Sequence, residues 1–314
     1  MKFENKILDE IELFNLDKNF NFHNYNTNIL ENEIENIISG FWDNTFEHSR
    51  EFEPLFTPFL QINLLRKLYI YYFSLKSLKE KYSNILVKNS NILVDIIGEY
   101  EKIKFDTNVQ DHDADFYLLR KYSFCEPNKS IKEIIKKKIY TLKKYFRNKD
   151  IIYSYQLKIQ NELEDLDNSI CLNHISFDKK IDLKININFL KKNILNNIKK
   201  IKTSIPNILI QNLVEKRIFN SLPQAINRIE QICYYIKKNN TKLVIISCAV
   251  HEEDLVLLVA AKISNIKILV SGHGLTGCIN KFLDNYIDYQ VTFSPFEYKY
   301  KGAKQFKLHT EWFN

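Results

Sequence analysis

Residues 242–271 read KLVIISCAVHEEDLVLLVAAKISNIKILVS, and the fold follows from how this stretch is parsed. Lys242 to Cys248 is a nearly continuous apolar run of strand length, as a parallel strand buried on both faces requires. Glu252 to Ile263 predicts a helix with apolar Leu255, Leu257, Leu258, Ala260 and Ala261, and Ile266 to Ser271 predicts a second strand. Strand, helix and strand in so short a span form a βαβ unit, and such units build parallel sheets whose ligands bind at the carboxyl ends of the strands.

The same pattern extends in both directions. Downstream, a short helix is expected near Lys281 to Tyr286, a third strand over Asp288 to Phe293 and a fourth near Gln305 to His309. Upstream, helices are expected over Ile187 to Ile201, from Pro206 onward, and from Pro223 to Lys238. Residues 150–182 read as irregular and polar, with Glu162, Glu164, Asp165 and Asp167 in one acidic patch, which marks a domain boundary near residue 180. The expected fold class is therefore α/β: a mainly helical part with a few strands over residues 1–180, then a Rossmann-like parallel β/α unit over 181–314.

In the first part, Phe59 to Leu78 predicts a helix that is apolar on all sides from Leu68 to Phe73 and so buried in a core. Asn91 to Ile97 predicts a strand, and Asp106 to Asp115 a polar loop. Residues 130–147 predict an amphipathic helix opened by a Ser130–Glu133 capping box. Its lysine face reads as a solvated surface in preference to a membrane-binding one.

Composition bounds the function. The chain of 314 residues is 45% hydrophobic and 13% aromatic, enough for a sizeable core and against disorder. The formal charge is +7, but its lysines are spread through a chain rich in Ile, Asn and Lys, and no aromatic–basic platform or known motif points to nucleic acid. Cys125, Cys171, Cys233, Cys248 and Cys278 include no C-x-x-C pair, so buried free thiols are expected, with neither disulfide framework nor zinc knuckle. The N-terminus lacks a signal-peptide pattern and no apolar run is long enough to span a bilayer, so the expected location is the cytoplasm with at most peripheral membrane contact. No metal site is expected; the Asp111-His112-Asp113 segment sits in the polar loop.

Two clusters fall at expected carboxyl ends of strands. The first is His251-Glu252-Glu253-Asp254. It is not H-E-x-x-H, because position 255 is Leu, so a zinc-protease helix is excluded. The acidic residues suit the positive end of a helix, a reading preferred over catalysis, though both His251 and Glu252 are placed to face a ligand cleft. The second is Gly272-His273-Gly274, in a chain with only six glycines. Glycines flanking a strand-end histidine free the backbone to approach a ligand, and the imidazole titrates near neutrality, so His273 suits a base or a phosphate contact. Extended to Gly277 the loop also spells G-x-G-x-x-G, with Glu297 about 20 residues on, the dinucleotide fingerprint of an NAD(P)-dependent oxidoreductase. Against that, the following strand ends at Ser294 rather than in an acid, the next helix is short, and few residues follow Gly277.

Leu243 to Ser294 resembles the end of the first domain in GT-B-type glycosyltransferases of surface-carbohydrate synthesis, including capsule and lipopolysaccharide enzymes and the glycerophosphate transferases of teichoic acid synthesis. The residues that carry the resemblance are LVIIS, Ala260-Ala261, Asn265-Ile266, His273-Gly274 and Asp288-Tyr289. It implies a GT-B N-terminal-domain-like fold and a catalytic or cleft role for His273. Gly272, Gly274, His251 and Glu252 would lie around the substrate. It also implies a nucleotide-sugar as co-substrate, no further cofactor, and a carbohydrate or lipid-linked acceptor. Gly272 stands where many relatives carry Gln. The chain reaches Asn314 where such a first domain hands over to the donor-binding one, so the expectation is an acceptor-side half that lacks the donor domain, served by a partner chain carrying it. A non-catalytic scaffold with a vestigial Rossmann-like unit is the alternative from another class.

Overall fold

The computed structural model describes residues 3–8, 33, 37, 50–56, 64–87, 92–105, 150–154, 160–175, 177–219, 222–247, 252–271, 283–292 and 299–307. In chain order the first elements are β1 (Phe3–Leu8), α1 (Leu64–Lys81), β2 (Tyr82–Val87), α2 (Ile92–Glu101) and β3 (Lys104–Phe105). Then come β4 (Ile151–Tyr153), α3 (Gln160–Asp165), β5 (Ser169–Cys171), α4 (Ile187–Lys200) and α5 (Asn207–Val214). The last are α6 (Leu222–Asn239), β6 (Leu243–Ile246), α7 (Glu252–Ile263), β7 (Lys267–Ser271), β8 (Tyr289–Thr292) and β9 (Lys304–Lys307). The expected helix at 130–147 and the expected loop at 106–115 lie outside the described residues.

The chain divides into two compact units. One comprises Met1–Thr45, Ile62–Tyr122 and Ile187–Asn220; the other comprises Phe46–Gln61, Ser123–Asn186 and Ser221–Asn314. In the first, β1, β2 and β3 form a parallel three-stranded sheet in that order. α1 is buried at Leu65, Leu68, Tyr69, Ile70, Tyr71, Tyr72 and Leu75, as its all-round apolar stretch requires. α2 corrects one expectation. The run at 91–97 is not a strand but the first part of a helix that buries Leu93, Val94, Ile96, Ile97 and Gly98. A short continuous apolar run fits a buried helix as well as a strand, and Gly98 does not stop it.

The second unit is built on a parallel sheet of six strands in the order β5-β4-β6-β7-β8-β9. Two of them correct the reading of 150–182 as irregular: β4 and β5 are three residues each, too short to register as apolar runs beside the acidic patch. Ile152, Val244, Ile246, Ile268 and Val270 line one face and are almost fully buried. On the other, Tyr153, Cys171 and Ile245 pack with Leu163 of α3, flanked by Ile151, Leu243 and Leu269. Crossovers from β4 to β5 and from β6 to β7 run in opposite directions along the sheet, so right-handed connections place α3 and α7 on opposite faces. α7 is buried from Asp254 through Ala261 and packs on β6, β7, α6 and the helical turn Arg50–Phe56. Buried Cys171 and Cys233 are free thiols, and burial pushes the Cys233 thiol up to about 11.

With six glycines available, the helix ends use other residues. α2, α6 and α7 all finish on a left-handed residue, Lys102 (φ 56), Asn240 (φ 53) and Asn265 (φ 55). At α7 the next residue's amide, Ile266 N, bonds Ala261 O at 2.8 Å, while Asn265 N bonds Lys262 O at 3.0 Å, the double bond pattern of a Schellman turn. Thr241 N to Ile236 O (3.1 Å) and Ile103 N to Gly98 O (2.9 Å) repeat the outer bond. A strand starts two or three residues after each left-handed residue, so Lys102-Ile-Lys-Phe, Asn240-Thr-Lys-Leu and Asn265-Ile-Lys-Ile are three copies of one helix-to-strand corner. Asn tolerates this conformation better than residues with an apolar Cβ branch. Asn265→Ala is therefore expected to lower unfolding free energy by about 1 kcal/mol, and Asn265→Gly to leave it unchanged or raised, as read by urea denaturation.

Candidate functional site

Counted within the sheet, the strand order of the second unit is 2-1-3-4-5-6. In such a sheet the connections turn from one direction to the other between the first and third strands, here β4 and β6, and the crevice outside their carboxyl ends is where ligands bind. The residues at that edge share a feature. β4 runs IIY and is followed by Ser154; β6 runs LVII and is followed by Ser247; β7 ends LVS at Ser271; β8 ends at Thr292. Four neighbouring strands thus each close on a hydroxyl, and all four residues are buried.

The strand ladder continues through them. Ser154 N donates to Ile245 O at 2.9 Å, and extending the β6–β7 register by one residue places Ser247 beside Ser271. Ser247 is tied to the helix that follows. Its Oγ donates to Asp254 Oδ2 at 2.6 Å and its amide to Oδ1 at 3.4 Å. Asp254, at 1% exposure, is in the first turn of α7, where the helix dipole also favours a carboxylate. Asp254 thus ties the start of α7 to the end of β6. The hydroxyls of Ser154 and Ser271 differ: both are fully buried and neither has a hydrogen-bond partner among the described residues. A buried hydroxyl left unpaired costs about 1–3 kcal/mol, so such pairs are rare in a settled core and need a reason.

Of the residues singled out in the sequence, Glu252 is the first residue of α7. His251, Gly272, His273 and Gly274 lie outside the described residues. Chain connectivity still fixes where their segments begin: 248–251 follows β6 and 272–282 follows β7, two adjacent strands ending at the same edge. Asp288, part of the Asp-Tyr pair in the glycosyltransferase resemblance, stands at the opposite edge, just before β8 begins. There its carboxylate accepts from Ile268 N at 3.0 Å and from Lys267 Nζ at 2.8 Å, with Lys262 Nζ at 3.7 Å. Partial burial pushes the Asp288 carboxyl up, but the Lys267 and Ile268 hydrogen bonds and the Lys262 charge outweigh it and hold it below its ordinary 3.8. Asp288 is a structural clamp between β7 and β8.

Sequence reading passed over the serines because it looked for His and Gly. A signal was present: three apolar residues and a serine recur as IIYS, VIIS and ILVS at 151–154, 244–247 and 268–271. Among the described residues, no three His, Cys, Asp or Glu side chains stand together as a metal would need, and no helix is long and apolar enough to cross a membrane. No known protein family, curated protein or solved structure matches the chain.

Two stability predictions follow from the two edges. Ser247→Ala removes a donor from a buried carboxylate and is expected to cost about 1–3 kcal/mol, whereas Ser154→Ala and Ser271→Ala are expected to be neutral or stabilising; equal losses at all three would refute the distinction. For Asp288 the folded pKa is depressed, so its contribution is whole above 3.8 and fades as pH falls through 3.8 toward the lower folded value. The stability gap between wild type and Asp288→Asn should therefore be constant at pH 5–7 and close below about pH 4, measured by urea unfolding across that range.

Proposed function

We propose that this chain is the acceptor-side half of a glycosyltransferase of surface-polysaccharide synthesis, such as capsule or lipopolysaccharide, working at the carboxyl edge of its six-stranded sheet. One observation carries the reading: the segments holding His251-Glu252 and Gly272-His273-Gly274 begin at adjacent strand ends, β6 and β7, next to the switch point. His273 takes the proton from an acceptor hydroxyl as that oxygen attacks the anomeric carbon of a nucleotide-linked sugar and the nucleotide departs with the bonding pair. Gly272 and Gly274 keep the approach to the acceptor clear, and His251 and Glu252 contribute from the neighbouring strand end. The acceptor is a carbohydrate or a lipid-linked carbohydrate. The donor is bound by a second domain, on a partner chain or on a continuation of this one.

The oxidoreductase reading has less support. In a doubly wound sheet the dinucleotide fingerprint turn follows the first strand, which flanks the switch point. Gly272 to Gly277 follows β7, the fourth strand of the sheet, while β4 and β6 flank the switch. The amino end of α7, where a pyrophosphate would be drawn to a helix dipole, instead carries Glu252, Glu253 and Asp254.

The test is sugar transfer from nucleotide-sugars to lipid-linked acceptors by the complete transferase. His273→Ala is expected to cut the rate by about 100-fold or more without changing the melting temperature. Full activity in the variant, or a fall in activity matched by loss of the folded state, would overturn the assignment of His273 as base.

A further inference from the structure

We propose that the outward face of α4 is a docking surface for an anionic lipid bilayer, on which the chain rests without inserting a helix. The inference stands on the first unit alone and does not depend on the proposed transfer reaction.

The sequence supplies the charge. From Ile187 to Val214 the chain carries Lys191, Lys192, Lys199, Lys200 and Lys202 and neither Asp nor Glu. The helical period puts Leu190, Ile194 and Ile198 on one face of α4, where they are buried. The opposite face presents Asn188, Phe189, Lys192, Asn196, Lys199 and Lys200, all exposed. From Phe189 to Lys200 this strip runs about 16 Å along the helix axis. α5 packs on α4 and adds Ile208, 43% exposed, next to the residue whose side chain holds the last turn of α4.

Two ordinary explanations of such lysines do not apply. Lysines in a last turn often satisfy the final carbonyls of a helix. Here Asn207 Nδ2 takes that place, donating to Ile198 O at 2.9 Å, to Lys199 O at 3.2 Å and to Ile201 O at 2.9 Å. Lysines on a solvated helix face are also commonly balanced by carboxylates. The ion pairs of the described residues engage Lys79, Lys180, Lys216, Lys242, Lys262 and Lys267, and none engages a lysine of α4 or Lys202. Glu33 approaches the segment after the helix, but it accepts from Ser204 N at 3.1 Å and Ser204 Oγ at 2.6 Å.

A positive strip that the described carboxylates leave unbalanced is complementary to a surface of fixed negative charge, and each lysine within a Debye length adds to the attraction. Phe189 points to lipid as that surface. Its ring is 51% exposed, on a helix whose own apolar face is already buried. An aromatic ring among lysines suits a bilayer interface: the ring enters the boundary with the acyl chains while the ammonium groups stay among the headgroup phosphates. A nucleic acid is held instead by successive stacked rings and by arginine, and this face has one ring and no Arg. No described helix is long and apolar enough to cross a membrane, so the contact is one of surface.

The experiment measures partitioning of the full chain onto sedimented vesicles of phosphatidylcholine alone or with about one-third phosphatidylglycerol. Binding is expected only to the anionic vesicles and is expected to be lost in about 0.5 M salt. Replacing Lys192, Lys199 and Lys200 together by Gln is expected to weaken partitioning about 100-fold, and Phe189→Ser to weaken it roughly three- to tenfold, with melting temperatures unchanged. A control that replaces exposed Lys179, Lys237 and Lys307 by Gln removes the same charge elsewhere and is expected to change partitioning less than about threefold. No binding to anionic vesicles overturns the proposal. Equal losses in the control and the α4 variant also overturn it, because net charge then suffices. Release from vesicles by duplex RNA, with RNA binding that the α4 variant abolishes, overturns the assignment of lipid.

Discussion

The buried α7 helix organises the larger unit, and what fixes it is a pair of polar anchors at its two ends. At the amino end Asp254 holds the amide and hydroxyl of Ser247; at the carboxyl end the left-handed Asn265 closes a Schellman turn into β7. Between them every residue from Leu255 to Ala261 is withdrawn from water. Burial of so many aliphatic side chains supplies the driving force, at about 1.5–3 kcal/mol for each large one. That force is non-directional, however, and would tolerate a helix slid by a turn along the sheet. The polar anchors, worth about 1 kcal/mol apiece, select the one placement in which β6 and β7 lie side by side with Ser247 next to Ser271.

The two edges of the sheet are chemically unlike. At the amino edge, charge does the stitching: Asp288 clamps Lys267, Lys262 and the Ile268 amide, and the Asp150 carbonyl accepts the amides of Lys242 and Leu243 while its carboxylate lies 3.9 Å from Lys242 Nζ. At the carboxyl edge the strands close on Ser154, Ser247, Ser271 and Thr292 instead. Salt bridges at exposed positions contribute little to stability, so the amino edge gains mainly register from its pairs. Of these hydroxyls, Thr292 donates to Phe306 O of β9 at 3.5 Å and Ser247 to Asp254, while those of Ser154 and Ser271 have no partner among the described residues.

How far the sequence revealed this architecture depended on element length. β6, α7 and β7 were legible because each is long enough to show its own period, and α7 begins and ends where its apolar pattern does, at Glu252 and Ile263. β4 and β5, at three residues each, carry too little pattern, and their burial comes from a sheet assembled by residues distant in sequence. The run at 91–97 had the opposite difficulty: uniformly apolar, it fitted either helix or strand, and packing within its unit decided for the helix. What was legible at this edge was the pair of strand ends, not the serines that close them. The ends of β6 and β7 were singled out for His251, Glu252 and the Gly272-His273-Gly274 loop, whereas the serines that close these strands look unremarkable singly and gain meaning only when β4 is seen to lie beside β6.

That adjacency bears on how this edge can serve a ligand. Asp254, in the first turn of α7, accepts from the amide and hydroxyl of Ser247 and so ties the start of that helix to the end of β6. Strands fix position to within the tolerance of a packed core, and the proposed function assigns the reactive group to the segments that follow them.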